Sequence, residues 1–359
     1  MRSFSTRLST VLLFITLLSG SLITGCSATQ KIGNVFTAEK KECNTIRAAF
    51  DIGSGATRVK VAKVDSCKNK ILEVLLEREE KIDFKEDLIK SKNDNFSEQF
   101  MTDAIATLRM LKTEAQKFSP KEYVAVATAA FREAKNGQKF IERVNVELWI
   151  NPRIISQGEE ALLGFYGSAE SLGSTPENTI IWDIGGSSQQ IIKYNGKERF
   201  LIYEGKLGAV SFKDYILKKI KRQGGRSPNP INSYQAKLAV EYAESIALKT
   251  VKREIKDFLQ ISKDAKVLGI GGVHYYSLRN QIDPTGEKDT YTIGDVEKTL
   301  NSKIGKTDND LGNSRYVETD VTNLALVYGF MKALNIFEIK TAKVNMADGL
   351  LLNDKYWAP

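Results

Sequence analysis

Apolar and polar positions between residues 47 and 64 fall into two runs separated by a glycine turn. Arg47-Ala48-Ala49-Phe50 reads as a buried strand, and Val59-Lys60-Val61-Ala62-Lys63-Val64 alternates as a second, with Asp51-Ile52-Gly53-Ser54-Gly55-Ala56 turning between them. A third strand is expected over Ile71–Leu76. Ser97 precedes Phe100, Ala104, Leu108, Leu111 and Ala115, a helical spacing with an N-cap residue before it, and Pro120 stops that helix. The pattern then predicts a strand over Tyr123–Ala130, a helix over Gly137–Leu148, a strand over Arg153–Ile155 and a helix opened by Gly158-Glu159-Glu160.

The next segment repeats the first. Phe50-Asp51-Ile52-Gly53-Ser54-Gly55-Ala56 is echoed by Trp182-Asp183-Ile184-Gly185-Gly186-Ser187-Ser188, and an alternating apolar strand follows each copy. Asn195-Gly196 predicts a type I′ hairpin turn. A long helix is expected over Ser233–Leu259, then a strand over Val267–Ile270 and the pair Gly271-Gly272. Helical patterns dominate from there to Ile336, and Ala347–Leu351 opens a short terminal helix. The whole reads as a duplicated α/β architecture with a site between its halves.

The first residues change the picture of where this body sits. Arg2 and Arg7 precede an uncharged apolar run, Leu8–Leu18, and the segment closes on Leu22-Ile23-Thr24-Gly25-Cys26. The run is shorter than the roughly 20 apolar residues of a bilayer span, so it reads as a signal peptide over 1–25. The closing motif resembles that of bacterial lipoproteins. That resemblance implies lipidation of Cys26, a polar tether over 26–42 and an exported protein held on a membrane by its N-terminal lipid, with Ser27 fitting an outer membrane and a periplasm-facing body. The formal charge of +8 suits anionic ligands, yet no Lys/Arg block interleaved with aromatics marks a nucleic-acid surface. An export signal permits a disulfide, and a hairpin turning about Gly55 sets Cys43 and Cys67, equidistant from it, opposite each other.

Each repeated turn joins a strand, an aspartate, glycines and small hydroxyl residues. Gly53, Ser54 and Gly55 in one copy, and Gly185, Gly186, Ser187 and Ser188 in the other, allow backbone N–H groups to approach phosphate closely, with Gly271-Gly272 as a third ligand loop. Asp51 and Asp183, at strand ends facing the cleft, can hold Mg²⁺ through water. The single histidine, His274, follows the last glycine pair and reads as a ligand contact or a locally packed side chain. With no Gly-x-Ser-x-Gly elbow beside it, no Ser/His/Asp hydrolase can be assembled, and no Cys/His cluster indicates zinc.

These turns resemble those of the acetate and sugar kinase, heat-shock ATPase and actin superfamily. Four stretches together resemble its exopolyphosphatase and guanosine-pentaphosphate phosphatase branch: Asp51–Arg58, Ala127–Ala134, Ile155–Ala161 and Asp183–Gln190. The resemblance implies an RNase H-like, actin-like fold of two lobes. These lobes would span 43–163 and 164–345, with a C-terminal helix at about 346–359 able to return to the first. It implies Glu160 as catalytic base, Arg132 as a phosphate-contacting arginine, Arg58 as a further candidate for that task, and Mg²⁺ or another divalent cation as cofactor. It also implies a polyphosphate or other small phosphorylated polyanion as substrate; a homodimer is compatible with it. Where the family reads Gly-Ser-Asn-Ser in its first turn, this chain has Gly55 and Ala56 as its last two residues; in the second turn Ser187 replaces a glycine and Gln190 an acid. Two readings therefore stand: an exported exophosphatase, or a polyphosphate- or nucleotide-binding lipoprotein of the same fold whose catalysis has weakened.

Overall fold

The structure, a computed structural model, describes residues 43–357 apart from 173–175, 198, 263 and 313. The leader, Cys26 and the tether lie outside the described residues.

Strands β1 (Asn44–Ile52), β2 (Thr57–Asp65) and β3 (Lys70–Glu80) form an antiparallel meander, and β4 (Glu122–Ala127) and β5 (Asn151–Ile154) extend it in parallel, giving the order β3-β2-β1-β4-β5. A second sheet repeats the plan. Strands β6 (Thr179–Ile184), β7 (Gln189–Tyr194) and β8 (Phe200–Gly205) are the meander and β9 (Lys266–Ile270) lies parallel to β6. Beyond β9, β10 (Thr290–Thr292) and β11 (Glu338–Thr341) complete the order β10-β11-β9-β6-β7-β8. Read from each meander edge inward, the two sheets have the same topology, which is the duplicated, two-lobed actin-like α/β fold. The central strands are apolar on both faces, with Ala48, Ala49, Phe50 and Ile52 in β1 and Ile180, Ile181, Trp182 and Ile184 in β6 all buried, because helices cover both sides.

One face of the first sheet packs on a phenylalanine cluster, Phe84, Phe96, Phe131 and Phe140, with the Phe84 and Phe131 rings 4.5 Å apart. The other face carries the terminal helix Met346–Leu352 and Trp357, packed against Ala49, Ala62 and Val124 together with Leu163 of the helix Gln157–Gly167. Those two helices touch backbone to backbone: a Cβ on Gly349 would stand 1.9 Å from the Leu163 carbonyl oxygen. In the second lobe the helix Val317–Leu334 is apolar nearly all round and buried accordingly, packed on the helix Ser233–Thr250.

Several local expectations need correction. Strand β4 ends at Ala127, and the next residues form a short helix, Ala129–Glu133, so the strand expected to Ala130 is cut short by Thr128 turning the chain. The helix expected over Ser233–Leu259 is two helices, Ser233–Thr250 and Arg253–Ile261, because Val251 adopts an extended conformation and sinks its side chain into the core, 3% exposed. The stretch expected to be helical to Ile336 also includes the short edge strand β10, and β11, paired between β10 and β9, follows it. After β7, Tyr194 pairs with Phe200 and the Asn195 N–H donates to the Arg199 carbonyl at 2.9 Å, so the connection is longer than the two-residue turn expected at Asn195-Gly196. Cys43 and Cys67 form a disulfide with Cα atoms 5.3 Å apart, but in a different register. The hairpin pairs Ile52 with Thr57 and Asn44 with Asp65, so its centre lies between Ser54 and Gly55 and Cys43 faces Ser66, whose N–H donates to the Cys43 carbonyl at 2.7 Å. The bridge therefore runs one residue off the straight pairing.

Candidate active site

The two repeated turns have the same internal closure: Gly53 N–H donates to the Ala56 carbonyl at 3.0 Å, and Gly185 N–H to the Ser188 carbonyl at 2.9 Å. Their tips meet across the lobes, since a Cβ on Gly186 would lie 3.1 Å from the Gly55 nitrogen. Neighbouring helices brace both. The Ala130 N–H donates to Ser54 Oγ at 3.1 Å, and the Val210 N–H donates to the Gly186 carbonyl at 2.7 Å. Ser54 and Ser188 thus serve the scaffold as well as facing the cleft, whereas the buried Ser187 Oγ has no partner among the described residues.

Around these turns lies a cleft of about 170 Å³ lined by both turns, Arg58, Asp51, Glu160, Asp183, Gly271 and Gly272. The sequence-predicted site residues are therefore brought together, except that Arg132 stands behind Glu160 and the disulfide sits at the far end of the β1–β2 hairpin. Burial raises Asp51 and Asp183 to about 6 each and Glu160 to about 7; Arg58 opposes the rise at both aspartates and Arg132 at the glutamate. The charges of Asp51 and Asp183 push Glu160 further up, which places the three carboxyls in one electrostatic group. Asp51 Oδ1 is buried without a hydrogen-bond partner among the described residues, and a Cβ on Gly271, whose φ is +76°, would come within 2.1 Å of Asp183 Oδ1. Only glycine leaves that aspartate its place. Crowded oxygen ligands with an unsatisfied acceptor fit a hard divalent cation.

Three side chains orient this group. The register places Asp51, Arg58 and Glu79 in a cross-strand row over β1, β2 and β3; Arg58 lies 2.6 Å from Glu79 and 3.6 Å from Asp51. The equivalent row of the second hairpin is Asp183, Gln190 and Glu204, so Gln190 occupies the place that Arg58 has in the first. Gln190 Nε2 donates to Glu160 Oε2 at 3.1 Å and to Ser188 Oγ at 3.3 Å. Arg132 Nη1 pairs with Glu160 Oε1 and donates to the Ile155 carbonyl at 2.5 Å. Glu160, 4% exposed, is thereby clamped at both oxygens. Its neighbour Glu159 faces elsewhere: it closes a capping box with Ser156 and lies 3.3 Å from Lys355.

His274 is fully buried, its Nδ1 2.6 Å from the Tyr291 hydroxyl and its ring edge-on to Trp182, and burial lowers it to about 3; it packs and touches no ligand space. Sequence reading missed Glu79, Lys81, Lys213 and Tyr316 on the cleft wall. Glu79 carried one usable signal, its position in a strand that pairs with Arg58, but the predicted third strand ended before it.

Comparison with known proteins gives the arrangement its relatives. The model of the Ppx/GppA phosphatase family matches residues 61–354. The structure resembles the crystal structure of the Aquifex aeolicus member of that family, at 19% identity with a TM-score of 0.67, covering 86% of this chain and 97% of that one. It also resembles an exopolyphosphatase of Cytophaga hutchinsonii, at 17% identity, TM-score 0.68 and coverage of 85% and 96%. Among curated relatives, a bifunctional 3-dehydroquinate synthase/phosphatase of Fusobacterium nucleatum is 28% identical over 157 residues, 42% of this chain but only 23% of that protein's length. With a family match running from the second strand to the last helix, over a fold and a cleft of this form, the chain belongs to the Ppx/GppA phosphatase family.

Proposed function

We propose that the protein is a phosphoanhydride hydrolase that releases terminal phosphate from polyphosphate or a similar polyanion. The observation that carries this reading is Glu160, buried, raised to about 7 and grouped with Asp51 and Asp183 in a cleft walled by two phosphate-binding turns. A carboxylate whose pKa sits near the working pH is well matched to taking a proton from water. Arg132 and Gln190 orient that carboxylate, Glu160 orients the attacking water and receives its proton, and the two glycine turns hold the phosphates in line with it. Asp51 and Asp183 are the residues to hold a divalent cation, with Mg²⁺ suiting an all-oxygen ligand set. Bound there, the cation would neutralise charge on the transferring phosphoryl oxygens.

A second reading, a binding protein of the same fold with weakened catalysis, is favoured by the same clamp. Both Glu160 oxygens already accept a hydrogen bond, and the amide of Gln190 offers a cation no negative charge. Phosphate release from polyphosphate, with and without Mg²⁺, separates the two. The hydrolase reading expects metal-dependent release that falls by roughly 10²–10⁴-fold in Glu160→Gln, the usual contribution of a general base. Polyphosphate binding without release would put the second reading in its place.

A further inference from the structure

Among the described residues that line the cleft, eight carry carboxylates and three carry positive charge: Arg58, Lys81 and Lys213. Each of the three is engaged by an acid. Arg58 holds Glu79 at 2.6 Å, Lys81 holds Glu318 at 2.8 Å, and Lys213, its side chain 1% exposed, is paired with Glu86.

Most of these contacts also join the two lobes. The segment from Glu79 to Glu86 belongs to the first lobe, and it is met from the second by Lys213, Arg226, Arg315, Tyr316 and Glu318. Arg226 lies 3.4 Å from Asp83, Arg315 2.9 Å from Glu80, and the Tyr316 hydroxyl donates to Glu79 at 2.6 Å. One wall of the cleft is therefore a charged clasp whose cations are spent on protein carboxylates.

We infer that the cleft selects short linear phosphoanhydrides, presented as complexes with divalent cations, over long polyphosphate chains. The inference rests on the hydrolase reading above and deepens it. Every internal phosphate of a long chain brings a negative charge that needs a cation along its path, and a surplus of carboxylates repels it. A short substrate places its charge against the turns, Asp51 and Asp183, where divalent cations supply the balance. A long chain must continue past the clasp, where Lys81 and Lys213 are unavailable to it unless ion pairs between the lobes break.

The test compares tripolyphosphate with long-chain polyphosphate at equal concentrations of chain ends, in Mg²⁺, using the full chain. The expected result is kcat/KM about tenfold higher for tripolyphosphate, with little dependence on salt, since no extended basic track releases counterions. The double variant Asp83→Asn, Glu318→Gln frees Lys81 and Arg226 and is expected to narrow the ratio. Equal or faster release from the long chain, falling steeply with salt, would overturn the inference while leaving the hydrolase reading intact. If neither substrate is cleaved, the hydrolase reading falls instead. Calorimetric binding then decides: tighter binding of Mg²⁺-tripolyphosphate supports the short-substrate cleft, and equal or tighter binding of the long chain ends it.

Discussion

Glu160 receives its two hydrogen bonds from different lobes, Arg132 from the short helix after β4 and Gln190 from β7. A charge-assisted bond of this kind contributes roughly 1.5 kcal/mol to the ionised form, close to one pKa unit. Gln190→Met keeps the length and the burial but removes the donor. On the hydrolase reading, the rising limb of the kcat profile lies near 7 with Glu160 and is then expected to move about one unit upward, with kcat at pH 7 roughly fivefold lower, about tenfold lower at more acid pH, and KM little changed. A loss of stability alone, with the limb unmoved, would reduce Gln190 to a packing residue. At this scale much of the site was legible: Asp51, Asp183 and Glu160 stand in short motifs whose chemistry their neighbours announce. Gln190 was legible only as an amide where the family has an acid. That it aims at Glu160 depends on how closely the helix Gln157–Gly167 approaches β7, and no local pattern contains that distance.

The helix Gln157–Gly167 owes its place to glycines. A Cβ on Gly349 would clash with the Leu163 carbonyl oxygen at 1.9 Å, and one on Gly167 would lie 2.8 Å from the Gly349 nitrogen. Gly349→Ala therefore forces two packed helices apart and is expected to cost about 1–3 kcal/mol in denaturant melts. Because the displaced helix carries Glu160, activity should fall more than the folded fraction does. The exposed Gly224, with open space around it, is the control, and an equal effect there would refute the crossing argument. Elements bounded by strong punctuation were legible: Ser97 caps its helix, the helix Gly137–Leu148 falls where its periodicity placed it, and the repeated turns fixed both hairpins. Elements defined by their partners were not. Strands β10 and β11 are too short to show a period, and Val251 breaks a helix without glycine or proline because the core takes its side chain. The disulfide formed despite an error of one residue in register, since diagonal cysteines in a hairpin remain within bonding reach.

For the whole molecule, the acidic group is a source of instability that a bound cation would convert into a link between lobes. The ordinary pKa is 3.8 for Asp51 and Asp183 and 4.5 for Glu160, and burial moves them to about 6, about 6 and about 7 in the folded protein. The folded state thus keeps protons that the unfolded chain has already lost. Their stabilisation is complete below about pH 4 and is gone once the pH passes about 7, so the Tm of metal-free protein is expected to fall across that window. A divalent cation favours the ionised carboxylates of the folded state over the unfolded chain, so its effect has the opposite slope. Mg²⁺ should raise Tm little at about pH 5 and most at about pH 8, reaching about 2.7 kcal/mol of added stability at a hundredfold excess over its Kd. Because Asp51 comes from β1 and Asp183 from β6, removing either ligand should abolish the effect. Thermal melts over this range on the native chain, Asp51→Asn and Asp183→Asn decide the matter. A Mg²⁺ shift that ignores pH and survives in both variants would place the cation elsewhere, whereas a shift that grows with pH and vanishes in each would assign it to the two repeats jointly. In that case the duplication of the fold is also the construction of the site, with each copy of the hairpin delivering one carboxylate to the same ion.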